Sequence, residues 1–129
     1  MNSNPLKNKS VDCVVRAIST ATEKTWDEVY KVLCDIGFEM KDMPNSKPVY
    51  EKYLSKIGWA KQKMPKKKDG TKYMVNELDK NFKRPLVIQV ANHLTCVNED
   101  DELVDTWDCG RKSVYNYYTK EKATSPEVA

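Results

Sequence analysis

Apolar residues recur at helical spacing through the first sixty or so positions of this chain, and near residue 85 the rhythm changes to that of strands. After the polar, turn-rich "MNSNPLKNKS", Asp12 can cap a helix from about Cys13 to Thr22 that carries Val14, Ala17, Ile18 and Ala21 on one face. "TWDEVYKVLCDIGF" opens with Thr25 and has Glu28 three residues later, a capping box. Trp26, Val29, Tyr30, Leu33 and Ile36 follow at helical spacing, and Gly37 reads as the stop. Residues 46 to 57 place Val49, Tyr50, Tyr53, Leu54 and Ile57 on one stripe, which predicts a third helix ended by Gly58.

Beyond it, "WAKQKM" fits a short edge strand, "PKKKDG" a lysine-rich turn, and Val75 to Phe82 a brief helix. "PLVIQVA" at 85 to 91 is a continuous apolar, β-branched run suited to a buried strand. "HLTCV" and "LVDTWD" bracket the acidic turn "NEDDE" as a hairpin, and "SVYNYYT" supplies a last strand. Helices come first and an antiparallel sheet second, an α+β arrangement. One domain over residues 1–121 is expected, with 122–129 a frayed tail that has nothing to bury.

Composition narrows the chemistry. The chain has 129 residues, 40% hydrophobic and 32% charged, with no apolar run near the roughly 18 residues that span a bilayer and no signal-peptide core behind Met1. A cytoplasmic protein with no membrane partner is the expectation. The four cysteines, Cys13, Cys34, Cys96 and Cys109, are irregularly spaced and read as reduced thiols. They lack the C-x-x-C pairing of a zinc site and there is one histidine, so neither metal nor cofactor is expected. The net charge of +3 does not call for a polyanionic partner, and the lysine run from Lys61 to Lys68 reads as a solvated loop with few aromatics for base stacking.

Cys13 stands out by position. A thiol in the first turn of a helix lies at the positive end of the macrodipole among unpaired N–H groups, which favours thiolate near neutral pH. A nucleophilic cysteine needs a base, and His93, opening a strand, is the single histidine. A third group must orient the imidazole, and the hairpin offers two. If the turn is odd-numbered and centred on Asp100, Asp105 lies diagonal to His93; if it is even-numbered, Asp108 falls opposite. Cys34 and Cys96 read as core and Cys109 as core or rim. Arg16, one turn from Cys13, could add positive potential near the thiolate or bind a substrate carboxylate, but reads first as an ion-pair partner of Asp12 or another acid; Trp107 reads as core or as a shield for the His–Asp bond.

"DCVVRAIS" followed by "NHLTCV" and "LVDTWD" resembles the small papain-like cysteine peptidase folds of bacteria and their phages, from roughly Asn8 to Tyr118. The resemblance implies a fold in which the nucleophile starts the first helix and packs on a C-terminal antiparallel sheet. It implies Cys13 as nucleophile, His93 as base and the first Asp of "DTWD", Asp105, as the orienting residue, ahead of Asp108. It also implies an amide before the cysteine that helps bind the oxyanion; the family commonly uses Gln, and here Asn8 takes the place.

The expected function is hydrolysis of a peptide or isopeptide bond in a protein or peptide substrate. A transglutaminase-like or deamidating enzyme would use the same triad. The remaining alternatives are a papain-fold binding module without catalysis and, less in keeping with the charge, a nucleic-acid binder.

Overall fold

Three helices precede a five-stranded antiparallel sheet in the computed structural model, which describes residues 5–6, 12–79, 81–105 and 108–120. The helices are α1 (Cys13–Thr22), α2 (Trp26–Met40) and α3 (Lys47–Lys56). The strands are β1 (Trp59–Gln62), β2 (Leu86–Val90), β3 (His93–Val97), β4 (Leu103–Val104) and β5 (Asn116–Lys120), in the spatial order β1-β5-β2-β3-β4. The expected tail at 122–129 lies outside the described residues.

The helical faces are those the spacing predicts, with two adjustments. On α1, Val15 is buried beside Val14, Ala17, Ile18 and Ala21, which widens the apolar face. On α2, Val29, Leu33 and Ile36 are buried, while Tyr30 is exposed and stacks on Trp26 with ring centroids 5.0 Å apart. The capping bond at its start is present, Glu28 N–H donating to Thr25 Oγ1 at 3.1 Å.

Gly37 does not stop α2. The helix continues to Met40 and ends on Lys41 at φ 57°, whose N–H returns to the carbonyls of Gly37 and Phe38. Gly37 is needed for a close approach instead: a Cβ there would sit 2.7 Å from the carbonyl oxygen of Asp42. On α3, Val49, Tyr50, Tyr53 and Leu54 are buried, and Gly58 turns the chain at φ 86° into β1.

The two faces of the sheet carry separate cores. Val87, Leu94, Cys96 and Tyr118 pack with the helices, α1 over β3 and β2, α3 over β1, and α2 against both helices. Leu86, Ile88, Val90 and Val97 pack on the other face with Val75, Leu78 and Val114. Each large aliphatic side chain so buried stabilises the fold by about 1.5–3 kcal/mol before entropy is counted.

The segment from Val75 to Phe82 is shorter in helix than expected, a single 3-10 turn over Val75–Glu77. Arg84 donates to the carbonyls of Leu78, Asp79 and Phe82, and this replaces further helical bonding. Two strands are also trimmed. β4 covers only the first two residues of "LVDTWD", and β5 begins at Asn116, with Ser113 making an isolated bridge to Met74.

Candidate active site

The backbone at the start of α1 leaves its donors uncovered by the expected cap. Asp12 makes no side-chain capping bond; the first helical bond runs from Arg16 N–H to Asp12 O at 2.9 Å. The first helical N–H groups, that of Cys13 included, therefore precede any intrahelical acceptor. The Asp12 carboxylate is used elsewhere, accepting from Arg16 Nε at 2.8 Å and from Trp26 Nε1 at 2.9 Å.

The β3–β4 hairpin has the odd-numbered register. Val97 pairs with Leu103 and Cys96 with Val104, so the turn centres on Asp100 and Asp105 comes diagonal to His93. His93 Nε2 and Asp105 Oδ2 lie 2.6 Å apart, with side chains 9% and 3% exposed. Asp108 has a different task, accepting the Gly110 N–H at 2.9 Å in the following turn.

Cys13, His93 and Asp105 thus come together. The thiol hydrogen-bonds the imidazole and receives the backbone N–H of Leu94. Burial raises its pKa, but these two bonds, with the charges of His93 and Arg16, hold it below the ordinary thiol value. His93 is raised from 6.5 to about 11, first by its bond to Asp105, then by those to Cys109 and Cys13, against burial. Both directions favour a thiolate–imidazolium pair at neutral pH. Asn8 lies outside the described residues, as does Trp107.

Two groups complete the site beyond what the sequence pattern assigns. Arg16 ties the site together, its Nε on Asp12 and its Nη1 3.4 Å from Asp105 Oδ1. The Asp12 pair is the expected i,i+4 ion pair; the Asp105 contact is long-range and nothing in helical spacing signals it. Cys109 is buried, with its sulfur 3.5 Å from Asp105 Oδ2. Its position four residues past Asp105 was the available hint.

His93, Asp105 and Cys109 present donor atoms within 4.8 Å of one another. Two ligands on one tetrahedral zinc ion, each at about 2.1 Å, sit about 3.4 Å apart. The 2.6 Å His93–Asp105 separation is instead that of a charge-assisted hydrogen bond. Of the other thiols, Cys96 is core as expected and is pushed up to about 12 by burial and then by the Asp105 charge. Cys34 is not core: it is half-buried on α2, hydrogen-bonded with the exposed Tyr30.

A cavity of about 780 Å³ lies elsewhere, lined by Leu78, Phe82, Arg84, Val97 and Leu103 among others, and includes none of Cys13, His93 and Asp105. In the lysine run, Lys61 lies in β1 and pairs with Glu51 at 3.0 Å, and Lys67 pairs with Glu77 at 2.6 Å. Among the described residues no helix is long and apolar enough to cross a membrane. Compared with family models, curated proteins and solved structures, the chain finds no match.

Proposed function

We propose that this protein is a papain-like cysteine hydrolase that cleaves a peptide or isopeptide bond in a protein or peptide, in the cytoplasm, where thiols stay reduced. The observation that carries this reading is the continuous hydrogen-bonded line from Cys13 through His93 to Asp105, with the thiol pKa lowered and the imidazole pKa raised. Structural cysteines lie where burial acts unopposed, as Cys96 does.

The steps follow from the charges. The Cys13 thiolate attacks the carbonyl carbon, and backbone N–H groups at the start of α1, with Asn8, stabilise the oxyanion. With Nε2 committed to Asp105, His93 uses Nδ1 to give its proton to the leaving amine as the C–N bond breaks. A thioester on Cys13 remains. Neutral His93 then takes a proton from water, the hydroxide adds to the thioester carbonyl, and the C–S bond breaks to restore the thiolate and imidazolium. Asp105 fixes the tautomer throughout, and Arg16 positions Asp105.

An electrophilic peptide or ubiquitin-like probe, followed by intact-mass analysis and peptide mapping, tests the reading. One adduct on Cys13, absent in Cys13→Ala and His93→Ala, is the expected result. An adduct on Cys34, or none on any thiol, would refute it. An amine offered alongside a cleavable peptide then separates hydrolysis from transglutaminase-like transfer, which would consume the same thioester.

A further inference from the structure

Lys47, the first residue of α3, places its ammonium between two amide side chains. Its Nζ donates to Gln89 Oε1 at 2.9 Å and to Asn116 Oδ1 at 2.7 Å, in a part-buried setting. Among the described residues no carboxylate lies within ion-pair distance of it, although Lys24, Lys31, Lys61 and Lys67 each have one. A half-buried cation ordinarily gains a counter-ion, and this one is held by neutral acceptors with a third donor to spare.

The register puts this cation one to two strands across from the strand whose Leu94 N–H meets the thiol. Gln89 stands directly opposite Leu94 on one side and opposite Asn116 on the other. Each step across the ladder is about 5 Å, and the three side chains share one face of the sheet. Leu94 is the residue whose N–H reaches the Cys13 sulfur, and Cys13 packs against the helix-side core with Leu94 and Tyr50. Tyr50 lies one turn along α3 from Lys47, and its hydroxyl, pushed up to about 12 chiefly by burial, also feels the Cys13 charge. The Oγ of Ser46, the residue before Lys47, is buried with no partner among the described residues. The cross-strand row Leu94–Gln89–Asn116 therefore runs from the nucleophile toward a cation held at the start of α3.

We infer that Lys47, held by Gln89 and Asn116, is a carboxylate-binding subsite along this row from Cys13, so that the preferred acyl donor carries an acidic group next to the bond attacked. This rests on Cys13 being the reactive thiol. The carboxylate would accept the third Lys47 N–H, and the Gln89 and Asn116 amides fix the ammonium in place without neutralising it. The shared chemistry is a carboxylate, whether on an Asp or Glu side chain or at a chain terminus.

Three haloacetyl probes on the full chain test this: N-iodoacetyl-aspartic α-amide, N-iodoacetyl-asparagine free acid, and neutral N-iodoacetyl-asparagine amide. The quantity read is the ratio of anionic to neutral alkylation rates at Cys13, resolved by peptide mapping, within each variant. In the parent protein at least one acid probe should react about tenfold faster than the neutral probe, the scale of one charged hydrogen bond. The faster acid identifies a side-chain or a terminal carboxylate. Lys47→Gln should bring the ratio to about one. Gln89→Glu, which keeps Lys47 and supplies it with a counter-ion, should do the same, so the test does not depend on one variant folding. A parent ratio near one, or a ratio that survives both substitutions, overturns the subsite while Cys13 labelling by the neutral probe upholds the hydrolase reading. If the neutral probe does not select Cys13, both fall.

Discussion

Cys13, at the start of α1, meets the first residues of β3, and Cys96 lies within that strand; both feel the burial that raises a thiol pKa. At Cys96 burial acts with the Asp105 charge, and the thiol is pushed up to about 12. At Cys13 a hydrogen bond from His93, the N–H of Leu94 and two positive charges overcome it. The difference lies in what each sulfur faces. Cys96 pairs with Val104 and Val87 in the interior of the sheet, whereas Cys13 faces the start of a strand, where His93 and an N–H are turned toward it. On the proposed reading, a reactive cysteine is made by the end of an element.

The largest effect should come from removing the sulfur itself. Cys13→Ala and Cys13→Ser should abolish turnover, by orders of magnitude, while shifting stability by no more than about 1–2 kcal/mol. Peptide-cleavage rates and thermal melts on the same preparations check both halves. The Cys13/His93 double substitution should be scarcely worse than either single one, since the two act as a unit.

Asp105→Ala comes next. It removes the first cause of the raised His93 pKa, so the imidazole titration should fall from about 11 toward 6.5, and activity should drop by about 10²- to 10⁴-fold. Asp108→Ala removes one turn bond to Gly110 and should leave the His93 titration in place. NMR of the His93 ring distinguishes them, and the opposite ranking would mean that Asp108 orients the imidazole. The linkage has a definite sign. The stability that charged His93 contributes is fully present below pH 6.5 and is lost as pH rises through about 11. The contribution of the Cys13 thiolate is present above pH 9.0 and is lost as pH falls through its lowered value.

Arg16→Met should cost stability more than Cys13→Ala does, by about 3 kcal/mol, because it strands Asp12 and Asp105 with one partner fewer in a setting where all three side chains are 3–12% exposed. As a positioning residue, Arg16 should also shift the alkylation pH profile of Cys13 upward, which a purely structural role would not do. Arg16→Lys should recover little, since an ammonium cannot bridge both carboxylates as the guanidinium fork does. Within β3, Cys96→Val adds about a methyl group to a fully buried site and should cost about 1–3 kcal/mol of stability, with no effect on activity. Denaturant melts and cleavage assays would expose any hidden chemistry at Cys96.

Much of this contrast is readable from local pattern. The bounds of α1 and β3 follow from the spacing of Val14, Ala17, Ile18 and Ala21 and from the run His93 to Val97, and these two elements place Cys13 and His93. The choice between Asp105 and Asp108 follows from hairpin register once the turn is known to be odd. What the pattern does not carry depends on where the chain leaves regular structure. β4 ends at Val104, and Asp105, just beyond it, meets Arg16 and Cys109, contacts spanning 89 and 4 residues that no periodicity encodes. Gly37 misleads for a similar reason: a glycine after an apolar stripe reads as a stop, but the close return of Asp42 is a tertiary demand. Lys47 meets Gln89 and Asn116 only because β5 inserts between β1 and β2.

The account stands on Cys13 being a thiolate held by His93, and one measurement reaches that directly: residue-resolved alkylation of all four cysteines by limiting iodoacetamide across pH 4 to about 10, in the parent and in His93→Ala. Cys13 should react first, with an inflection below the ordinary thiol value of 9.0 that moves upward in His93→Ala, while Cys96 stays unmodified in the folded protein. A Cys13 inflection at or above 9.0 in the parent, or one that His93→Ala leaves unmoved, would contradict it.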